Sequence, residues 1–285
     1  MKRARGTQRA MSSPRPEDTF EIVTTRDGVQ VVRDLANGEL MHPVGPALEA
    51  RAVYAEPARI DVRLQQGPVI VYDVGLGAGS NALEAWRRSE ARAPDEAQHK
   101  LTIYSFDRTA DAMRLALMPE HATEFGFSEA EVEVAQAVLR DGVFETQKSK
   151  WVTMLGELPG TLTQPDELAD VVFWDMYSTK VSPEMWTLRC FETLRAQCSD
   201  TATLHTYAAA TSFRSGLMLA GFWVGFGPAT GTKAQTTQAA VRKSDLPEPL
   251  DARWYQRLLR SSAPLPVDAP AGAMDSIAPF FEQAE

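Results

Sequence analysis

The chain has 285 residues, of which 44% are hydrophobic and 24% charged, the balance of an ordinary globular protein. Its net charge of −9, from 29 basic and 38 acidic residues, argues against a surface that is coated in positive charge for nucleic acid. No apolar run of the sequence is long enough to span a bilayer, and the two cysteines, Cys190 and Cys198, have neither metal-ligand nor redox spacing. Composition therefore predicts a cytoplasmic protein without a membrane segment, and it leaves room for a local basic patch.

The first 66 residues predict two elements ahead of the main domain. Residues 1–16 are expected to form a flexible basic arm, and a translation start at Met11 instead of Met1 would remove most of it. In "TRDGVQVVRD" a turn at Asp27-Gly28 separates two β-like runs, which predicts a hairpin. Residues 17–66 are therefore expected to form a small β-rich extension.

Runs of β-branched and aromatic residues alternate with helix-like segments across residues 67–245. This alternation predicts an α/β fold with a mostly parallel seven-stranded sheet and helices on both faces. A Gly-rich turn alone separates the last two strands, which predicts an antiparallel hairpin at the sheet edge. The seven predicted strands are Val69–Val74, Leu101–Phe106, Trp151–Leu155, Asp170–Asp175, Ala202–Tyr207, Phe222–Phe226 and Ala234–Val241.

The last segment, residues 246–285, combines a predicted helix over Asp251–Arg260 with the Pro/Ala-rich tail "SSAPLPVDAPAGA", which has little to pack. Arg253, Arg257 and Arg260 share one face of this helix. A solvated basic face is the default interpretation of such a pattern, and contact with phosphates is the alternative.

A glycine-rich loop follows the first predicted core strand in "VIVYDVGLGAGSNALEAW", with Gly75, Gly77 and Gly79 at alternate positions. Strand, glycine-rich turn and helix together hold a nucleotide in doubly wound folds, because glycine lets the backbone approach the ligand. The dinucleotide fingerprint G-x-G-x-x-G fails here, since Ser80 replaces its last glycine. Asp73 at the strand end would repel a pyrophosphate but suits a cationic, amino-acid-like tail. The loop therefore favours S-adenosylmethionine.

Two further acids follow the next two predicted strands. Asp107 ends "LTIYSFD", where a carboxylate accepts hydrogen bonds from both ribose hydroxyls, and Glu157 follows "WVTML", within reach of an adenine amino group. Acids at three successive strand ends fall on the carboxyl edge of the sheet, where doubly wound folds bind ligands. The alternative, a tight turn with scattered surface acids, does not account for this shared register.

Asp175 ends the fourth predicted strand, in "DVVFWDMYSTKVSPEMW". A carboxylate at this position would face the transferred methyl group. It would accept a proton from an attacking amine or orient the lone pair of that amine. The alternative is that Asp175 only caps the loop.

The remaining aromatic and histidine side chains carry weaker signals. His42, in "ELMHPVGP", is interpreted as a turn histidine satisfied by the backbone, with a substrate-side role as the alternative. His205 lies inside a predicted buried strand and is expected to be a core histidine. Trp174 and Tyr177 are expected to pack, with stacking on a base as the alternative. No His/Cys/Asp cluster has metal-ligand spacing, so no metal is expected.

The chain resembles the methyltransferase part of the bifunctional MnmC enzymes and their stand-alone relatives, which modify the wobble uridine of tRNA. The resemblance covers about Asp27 to Val241. It rests on the segments "GELMHPVGPALEARAVY", "DVGLGAGSNALEAW", "FWDMYSTKVSPEMW" and "TLHTYAAATSFRSGLMLAGFWVGFG". It implies a Rossmann-like class I fold that uses S-adenosylmethionine to methylate the aminomethyl nitrogen on uridine C5. The flavin-dependent half of the family is expected to be absent.

The same resemblance implies roles for individual residues. It makes Asp175 the catalytic residue at the reaction centre, and Glu157 takes the place of the usual aspartate beside the cofactor. The other implied cofactor residues are Asp73, Gly75, Gly77 and Asp107, and the third glycine of the loop, Gly79, is grouped with them.

Two departures from the family lie on the side expected to bind the substrate. Where the family has Gly-Phe-x-Pro, this chain has Met176 to Thr179, and Lys180 stands one place earlier than the family's lysine. The final hairpin, basic in the family, reads "GFGPATGTKAQTTQAA", with Lys233 as its only charge. The substrate-side candidates are His42, Tyr177, Lys180 and Lys233.

Three functions stay open at this point. The first is methylation of tRNA, with a basic patch formed by Lys180, Arg214, Lys233 and the face of the helix Asp251–Arg260. The second is methylation of a small-molecule amine or another nucleophile, and the third is a non-catalytic S-adenosylmethionine-binding module. The sequence does not indicate an oligomeric state.

Overall fold

A computed structural model describes residues 15–93, 98–230 and 235–282. The strands are β1 Phe20–Thr24, β2 Gln30–Asp34, β3 Val69–Val74, β4 Leu101–Asp107, β5 Val143–Glu145, β6 Ser149–Leu155, β7 Ala169–Trp174, β8 Cys198–Thr206, β9 Trp223–Gly227 and β10 Thr236–Ala240. The α-helices are α1 Pro46–Glu49, α2 Glu56–Ala58, α3 Ile60–Arg63, α4 Ser80–Glu90, α5 Asp111–Ala116, α6 Glu129–Asp141, α7 Leu188–Ala196, α8 Thr211–Leu219, α9 Ala252–Leu259, α10 Ala273–Ile277 and α11 Pro279–Glu282. A π-helix, Ala50–Ala55, joins α1 to α2, and short 3-10 helices cover Pro16–Asp18, Gly160–Thr163, Pro183–Trp186 and Lys243–Asp245.

The main sheet has the strand order β5-β6-β4-β3-β7-β8-β10-β9. Its five central strands are parallel, and β10 runs antiparallel to both β8 and β9. The mostly parallel α/β sheet and its antiparallel edge hairpin are therefore confirmed. The main sheet has eight strands among the described residues, so the prediction of seven for this sheet is wrong. The missed strand, β5, has three residues with no buried side chain, so no apolar run signals it.

Helices cover both faces of the sheet because its central strands are apolar on both sides. Val71 and Phe173 point into a core with α4, α5 and α6, while Tyr72 and Trp174 point into a second core with α7 and α8. The alternation of neighbouring residues between the two cores follows the period of two in a strand. The sheet thus lies between two layers of helices, and its carboxyl edge opens between them.

The N-terminal hairpin forms as predicted, with β1 antiparallel to β2. Gly28, at φ 79°, occupies its turn in the left-handed region that favours glycine. Phe20 and Val32 are buried in the same core as Val71 and Phe173, so this hairpin packs directly on the main domain. Residues 1–14 of the predicted basic arm, including Met11, lie outside the described residues.

The C-terminal segment packs against the domain, in contrast to the expectation that its Pro/Ala-rich part has little to pack. Asp268 accepts hydrogen bonds from the amides of Leu188 and Arg189, at 2.7 and 3.0 Å, and so caps the start of α7. Ile277 is fully buried, and Phe281 stacks on Tyr255 with ring centroids 4.8 Å apart. Contacts between residues far apart in the sequence thus order a segment whose composition is typical of a loop.

Candidate functional site

A cavity of about 770 Å³ opens at the carboxyl edge of the sheet, where β3, β4, β7 and β8 end. This edge is where doubly wound folds bind their ligands. Residues of the N-terminal segment, from Glu39 to Pro43, form another part of the wall, with Met41 next to Gly77. The wall includes Gly75, Gly77, Asp107, Asp175, Tyr177, Thr206 and Ala208.

The glycine loop brings its backbone against the end of β7. Gly75 has φ +97°, and a Cβ at this position would lie 2.2 Å from the carbonyl oxygen of Asp175. Gly77 has φ +51° and donates its amide to Asp107 Oδ2 at 3.1 Å. Gly79, at φ +85°, faces Met113 and does not line the cavity. Only the first two glycines therefore form a wall without side chains.

Asp107 is placed to accept hydroxyl donors at the cavity wall. Its two oxygens accept the amides of Gly77 and Arg108, the latter at 2.7 Å. Burial raises the pKa of this carboxyl above its ordinary value, while these amides lower it. A carboxylate offers about four lone-pair sites, and the Thr109 amide also bonds to this one, so one site stays for a ligand. This arrangement fits a hydroxyl of a ribose.

Asp73 lies behind the glycine loop and not on the cavity wall. It is fully buried, and its Oδ2 accepts the Ser105 hydroxyl at 2.7 Å, which in turn accepts the Trp151 indole N–H at 2.9 Å. Its Oδ1 is buried without a hydrogen-bond partner. Burial raises the pKa of Asp73 to about 7. Asp73 is therefore only partly ionised at neutral pH.

Glu157 lies away from the cavity wall. Its side chain is 83% exposed and faces Arg108, with Oε2 3.8 Å from Nε. The backbone carbonyl of Glu157 accepts the amide of Thr161, which starts a short turn after β6. The Glu157 side chain is thus not positioned toward the cavity for the predicted contact with adenine.

Asp175 is held by three side chains from separate elements. Its Oδ2 lies 2.5 Å from His42 Nε2 and accepts the Asn81 amide at 2.9 Å, and the Tyr54 hydroxyl is close enough to lower its pKa. Burial alone would raise the pKa of Asp175, but His42, Tyr54 and Asn81 together hold it below its ordinary value. Asp175 therefore stays ionised at neutral pH.

His42 carries the matching positive charge. Burial would lower its pKa, but the charge and hydrogen bond of Asp175 raise it to about 9. The backbone of His42 is left-handed, at φ 53°, and its Nδ1 is buried without a hydrogen-bond partner. The interpretation of a turn histidine satisfied by the backbone is therefore wrong. Nothing local in "ELMHPVGP" signals a partner 133 residues away.

A second contact joins the N-terminal segment to the loop after Asp175. Glu39 accepts the Ser178 amide at 3.1 Å and also the Ser178 hydroxyl. Tyr177 lines the cavity between these contacts, and its carbonyl accepts the Trp186 indole N–H at 2.8 Å. Lys180 is exposed and lies outside the wall. The N-terminal segment and the loop after Asp175 thus form a continuous part of the cavity wall.

One residue of the predicted basic patch is buried. Arg214 is 1% exposed and donates to the Thr237 hydroxyl at 2.9 Å and the Thr236 carbonyl at 2.7 Å. The prediction that it contacts RNA is wrong, because its guanidinium joins α8 to β10. Arg253, Arg257 and Arg260 are all exposed on α9 and its C-terminal end, and Lys233 lies outside the described residues.

Two further predictions concern buried rings. His205 is 2% exposed and Nε2 lies 3.1 Å from the Thr203 hydroxyl oxygen, which confirms a core histidine. Trp174 is fully buried and packs edge-on against Phe191, which confirms its packing role. Of the two rings proposed to stack on a base, Tyr177 is the more accessible.

Neither a metal cluster nor a membrane span is present in the part of the chain that the structure describes. Over residues 15–93, 98–230 and 235–282, no three His, Cys, Asp or Glu side chains are grouped to hold a metal ion. No helix among these residues is both long and apolar enough to cross a membrane.

Comparisons with known proteins identify a family. Residues 128–242 match the family model described as S-adenosyl-L-methionine-dependent methyltransferase. The chain is 30% identical over 220 residues to the tRNA 5-methylaminomethyl-2-thiouridine biosynthesis bifunctional protein MnmC of Ectopseudomonas mendocina, covering 73% of this chain and 33% of that protein. It is 28% identical over 213 residues to the protein of the same name from Chromobacterium violaceum, covering 72% and 32%. The chain thus spans about a third of the length of these relatives.

The fold has a close counterpart among solved structures. A crystal structure of MNMC2 from Aquifex aeolicus superposes with a TM-score of 0.69 at 21% identity, covering 93% of this chain and 85% of that one. At this identity the match establishes the shared fold. Because the match covers 93% of this chain, the shared fold extends beyond the parallel sheet to most of the N-terminal and C-terminal segments.

Proposed function

We propose that this chain, which belongs to the S-adenosyl-L-methionine-dependent methyltransferases, methylates the aminomethyl nitrogen of a C5-modified wobble uridine in tRNA. The observation that carries the proposal is the half-buried, ionised Asp175 on the wall of the cavity, beside the bare backbone of the glycine loop. The names of the MnmC relatives supply the substrate class. A site in the cytoplasm, where tRNA is modified, is part of the same proposal.

The cavity wall fits the cofactor by its donor and acceptor chemistry. S-adenosylmethionine supplies a methyl group activated on a positively charged sulfur. Gly75 and Gly77 contribute no side chains to the wall, and Asp107 keeps an acceptor site for a ribose hydroxyl. Asp73 lies on the side expected for the cationic tail, and a positive charge bound there would favour its ionised form, since burial raises its pKa to about 7. A role for Glu157 at the adenine stays a prediction.

Asp175 and its partners would position the amine. A carboxylate with a low pKa is a weak base, so its main action is to attract the amine and to orient its N–H toward one side. The lone pair then points away from the carboxylate. Because His42 neutralises the charge of Asp175 when no substrate is bound, the pair is stable in a buried place. Fixed geometry of this kind supplies much of the rate of a group transfer.

A basic face outside the cavity would contact the RNA. Arg253, Arg257 and Arg260 are exposed at α9, where guanidinium groups are free to reach phosphates. Affinity for RNA comes from the phosphates that are contacted, so a local patch suffices in a chain with a net charge of −9. A base of the anticodon loop is already unpaired, and Tyr177 offers a ring on which it can stack.

Methyl transfer to tRNA from a strain that lacks this gene tests the proposal. We expect the purified protein to add one methyl group to the wobble nucleoside, detected by mass spectrometry of digested tRNA. The rate at low tRNA concentration should fall steeply with salt. Replacing Arg253, Arg257 and Arg260 together by glutamine should reduce that slope by about 0.7–0.9 for each phosphate that is no longer neutralised.

A matched triple variant controls for the change in total charge. Arg26, Arg114 and Arg140 are also exposed, and replacing them by glutamine removes the same charge away from the proposed face. This variant should keep the salt slope of the unmodified protein. Salt-insensitive methylation of a small amine, together with no transfer to the hypomodified tRNA, would overturn the tRNA assignment and favour a small-molecule substrate.

A further inference from the structure

A second cavity, of about 560 Å³, lies between β8, β10 and the helices α2 and α3. It shares no wall residue with the cavity at the carboxyl edge. Arg59 and Arg63 stand on one side and His205 and Gln238 on the sheet side. Its volume is within the range of sites for small ligands, which run from roughly 300 to 1,000 Å³. Neither the glycine loop nor Asp175 has any part in it.

Arg63 is held in place on the wall of this second cavity by neutral oxygens. It donates to the carbonyls of Ala58 and Thr201 at 3.2 and 3.3 Å and to the Thr203 hydroxyl at 3.2 Å. It is half-buried, so its charge is only partly solvated. Over residues 15–93, 98–230 and 235–282, no carboxylate comes within ion-pair distance of Arg63. The guanidinium is thus fixed without being neutralised.

A second guanidinium lies near the first. Arg59 is exposed, joins α2 to α3 with a left-handed backbone at φ 52°, and makes no ion pair with any described carboxylate. Burial lowers the pKa of Arg63, and the charge of Arg59 lowers it further, while Asp170 and Asp245 act in the opposite direction. Arg59 has the smallest of these effects on Arg63, and an anion between the two guanidinium groups would interact favourably with both.

The polar groups around these arginines suit an anion that accepts several hydrogen bonds. Burial and the charge of Arg63 lower the pKa of His205 to about 3, so this ring is neutral and adds no charge of its own. Thr203 and Gln238 offer a hydroxyl and an amide on the sheet side. Asp245 also lines the cavity and opposes an anion, but it is exposed on a short 3-10 helix.

We infer that this second cavity binds a phosphate group, with Arg59 and Arg63 as its charged donors. Guanidinium groups match the oxygens of a phosphate in pairs, which makes arginine the usual donor for this ligand. The phosphate comes either from a free phosphate ester or from an RNA backbone. The inference does not depend on the methyl-transfer proposal, because binding is measured directly.

Calorimetry with inorganic phosphate, at constant ionic strength set with chloride, tests this site. Arg59→Asn should weaken phosphate binding by about fivefold, since asparagine tolerates the left-handed backbone and only an exposed charge is removed. Arg63→Gln should weaken it by about tenfold or more, because this charge is half-buried. Asp245→Asn should strengthen it by about twofold to fivefold, since an opposing charge is removed.

Arg140→Gln, on the exposed end of α6, is the matched control and should leave phosphate binding unchanged. Arg59→Asn keeps the test decisive if Arg63→Gln fails to fold. Unchanged binding in Arg59→Asn, or weaker binding in Asp245→Asn, would overturn the inference.

Adenosine monophosphate and a 12-nucleotide RNA without terminal phosphates distinguish the two sources. An Arg59→Asn variant that loses affinity for both ligands assigns the site to the RNA backbone. A variant that loses affinity for the nucleotide alone assigns it to a free phosphate ester. Undiminished affinity for both ligands contradicts the assignment of Arg59 as a phosphate donor.

Discussion

The two sides of the cavity at the carboxyl edge are built in different ways. On one side Gly75, Gly77 and Asp107 come from the ends of β3 and β4, and a backbone group takes part in each of their contacts. On the other side His42 reaches Asp175, and Glu39 reaches Ser178, across more than 130 residues of sequence. Backbone contacts at strand ends persist when side chains change. The side-chain contacts depend on particular pairs, so that side is free to adapt to a substrate.

The largest expected effect concerns Asp175. Asp175→Asn keeps the volume of the side chain and removes its charge, so the amine is no longer attracted or oriented. Losing one group that orients or stabilises the reacting atoms costs about 100- to 1,000-fold in rate, and we expect kcat to fall by that factor. Affinity for S-adenosylhomocysteine, measured by calorimetry, should stay within about threefold, because the glycine loop and Asp107 are untouched.

Thermal unfolding of Asp175→Asn gives the control for this measurement. A folded variant with normal turnover would show that Asp175 only caps the loop. A folded variant without either turnover or cofactor affinity would remove the distinction between the two sides of the cavity. Asp111→Asn, on α5 and away from the cavity wall, should change neither quantity.

The difference between the two sides also sets how much of the site the sequence predicts. Glycines at alternate positions after a strand, and an acid at the next strand end, are local patterns with a physical reason, so Gly75, Gly77 and Asp107 are found on the wall. The pair of His42 and Asp175 is not a local pattern. It depends on a left-handed residue and on where a separate segment crosses the sheet.

The fold follows the same division. Long apolar strands between helical segments predict the parallel sheet, whereas β5 has too few residues and too little burial to give a signal. A charged side chain is expected at the surface unless buried partners for it are known. Arg214 is predicted to be exposed because it is charged, but it is buried. Its partners, Thr236 and Thr237, lie on a strand whose place beside β8 the sequence does not reveal.

The second-largest expected effect is a dependence of the free energy of unfolding on pH that comes from the pair of His42 and Asp175. The pKa of His42 rises from 6.5 to about 9 on folding, so its contribution is fully present below pH 6.5 and disappears as the pH rises through about 9. We expect the free energy of unfolding of the unmodified protein, relative to His42→Gln, to fall by up to about 3 kcal/mol between pH 6 and pH 10. Urea unfolding at several pH values measures this difference.

Asp175→Asn provides the matched control for that pH dependence. Without the Asp175 carboxylate, only the charges of Glu49 and Asp73 oppose the effect of burial on His42, so its pKa is lower than in the unmodified protein. The difference between Asp175→Asn and the double variant with His42→Gln should then fall by less between pH 6.5 and pH 10. A fall of the same size in both comparisons would assign the raised pKa of His42 to Glu49 and Asp73 instead of Asp175.

The smallest expected effect belongs to the cofactor side, at Asp107. Asp107→Asn keeps the size of the side chain but replaces one acceptor oxygen with a donor, so one ribose hydroxyl loses its partner. Since the amides of Gly77 and Arg108 also bind this carboxylate, we expect affinity for S-adenosylhomocysteine to fall by about 1–2 kcal/mol, or roughly 5- to 30-fold. At saturating cofactor kcat should stay nearly normal, the reverse of the result for Asp175→Asn. Equal decreases in kcat and affinity would mean that the carboxylate positions the whole glycine loop, and that the two sides of the cavity act as one unit.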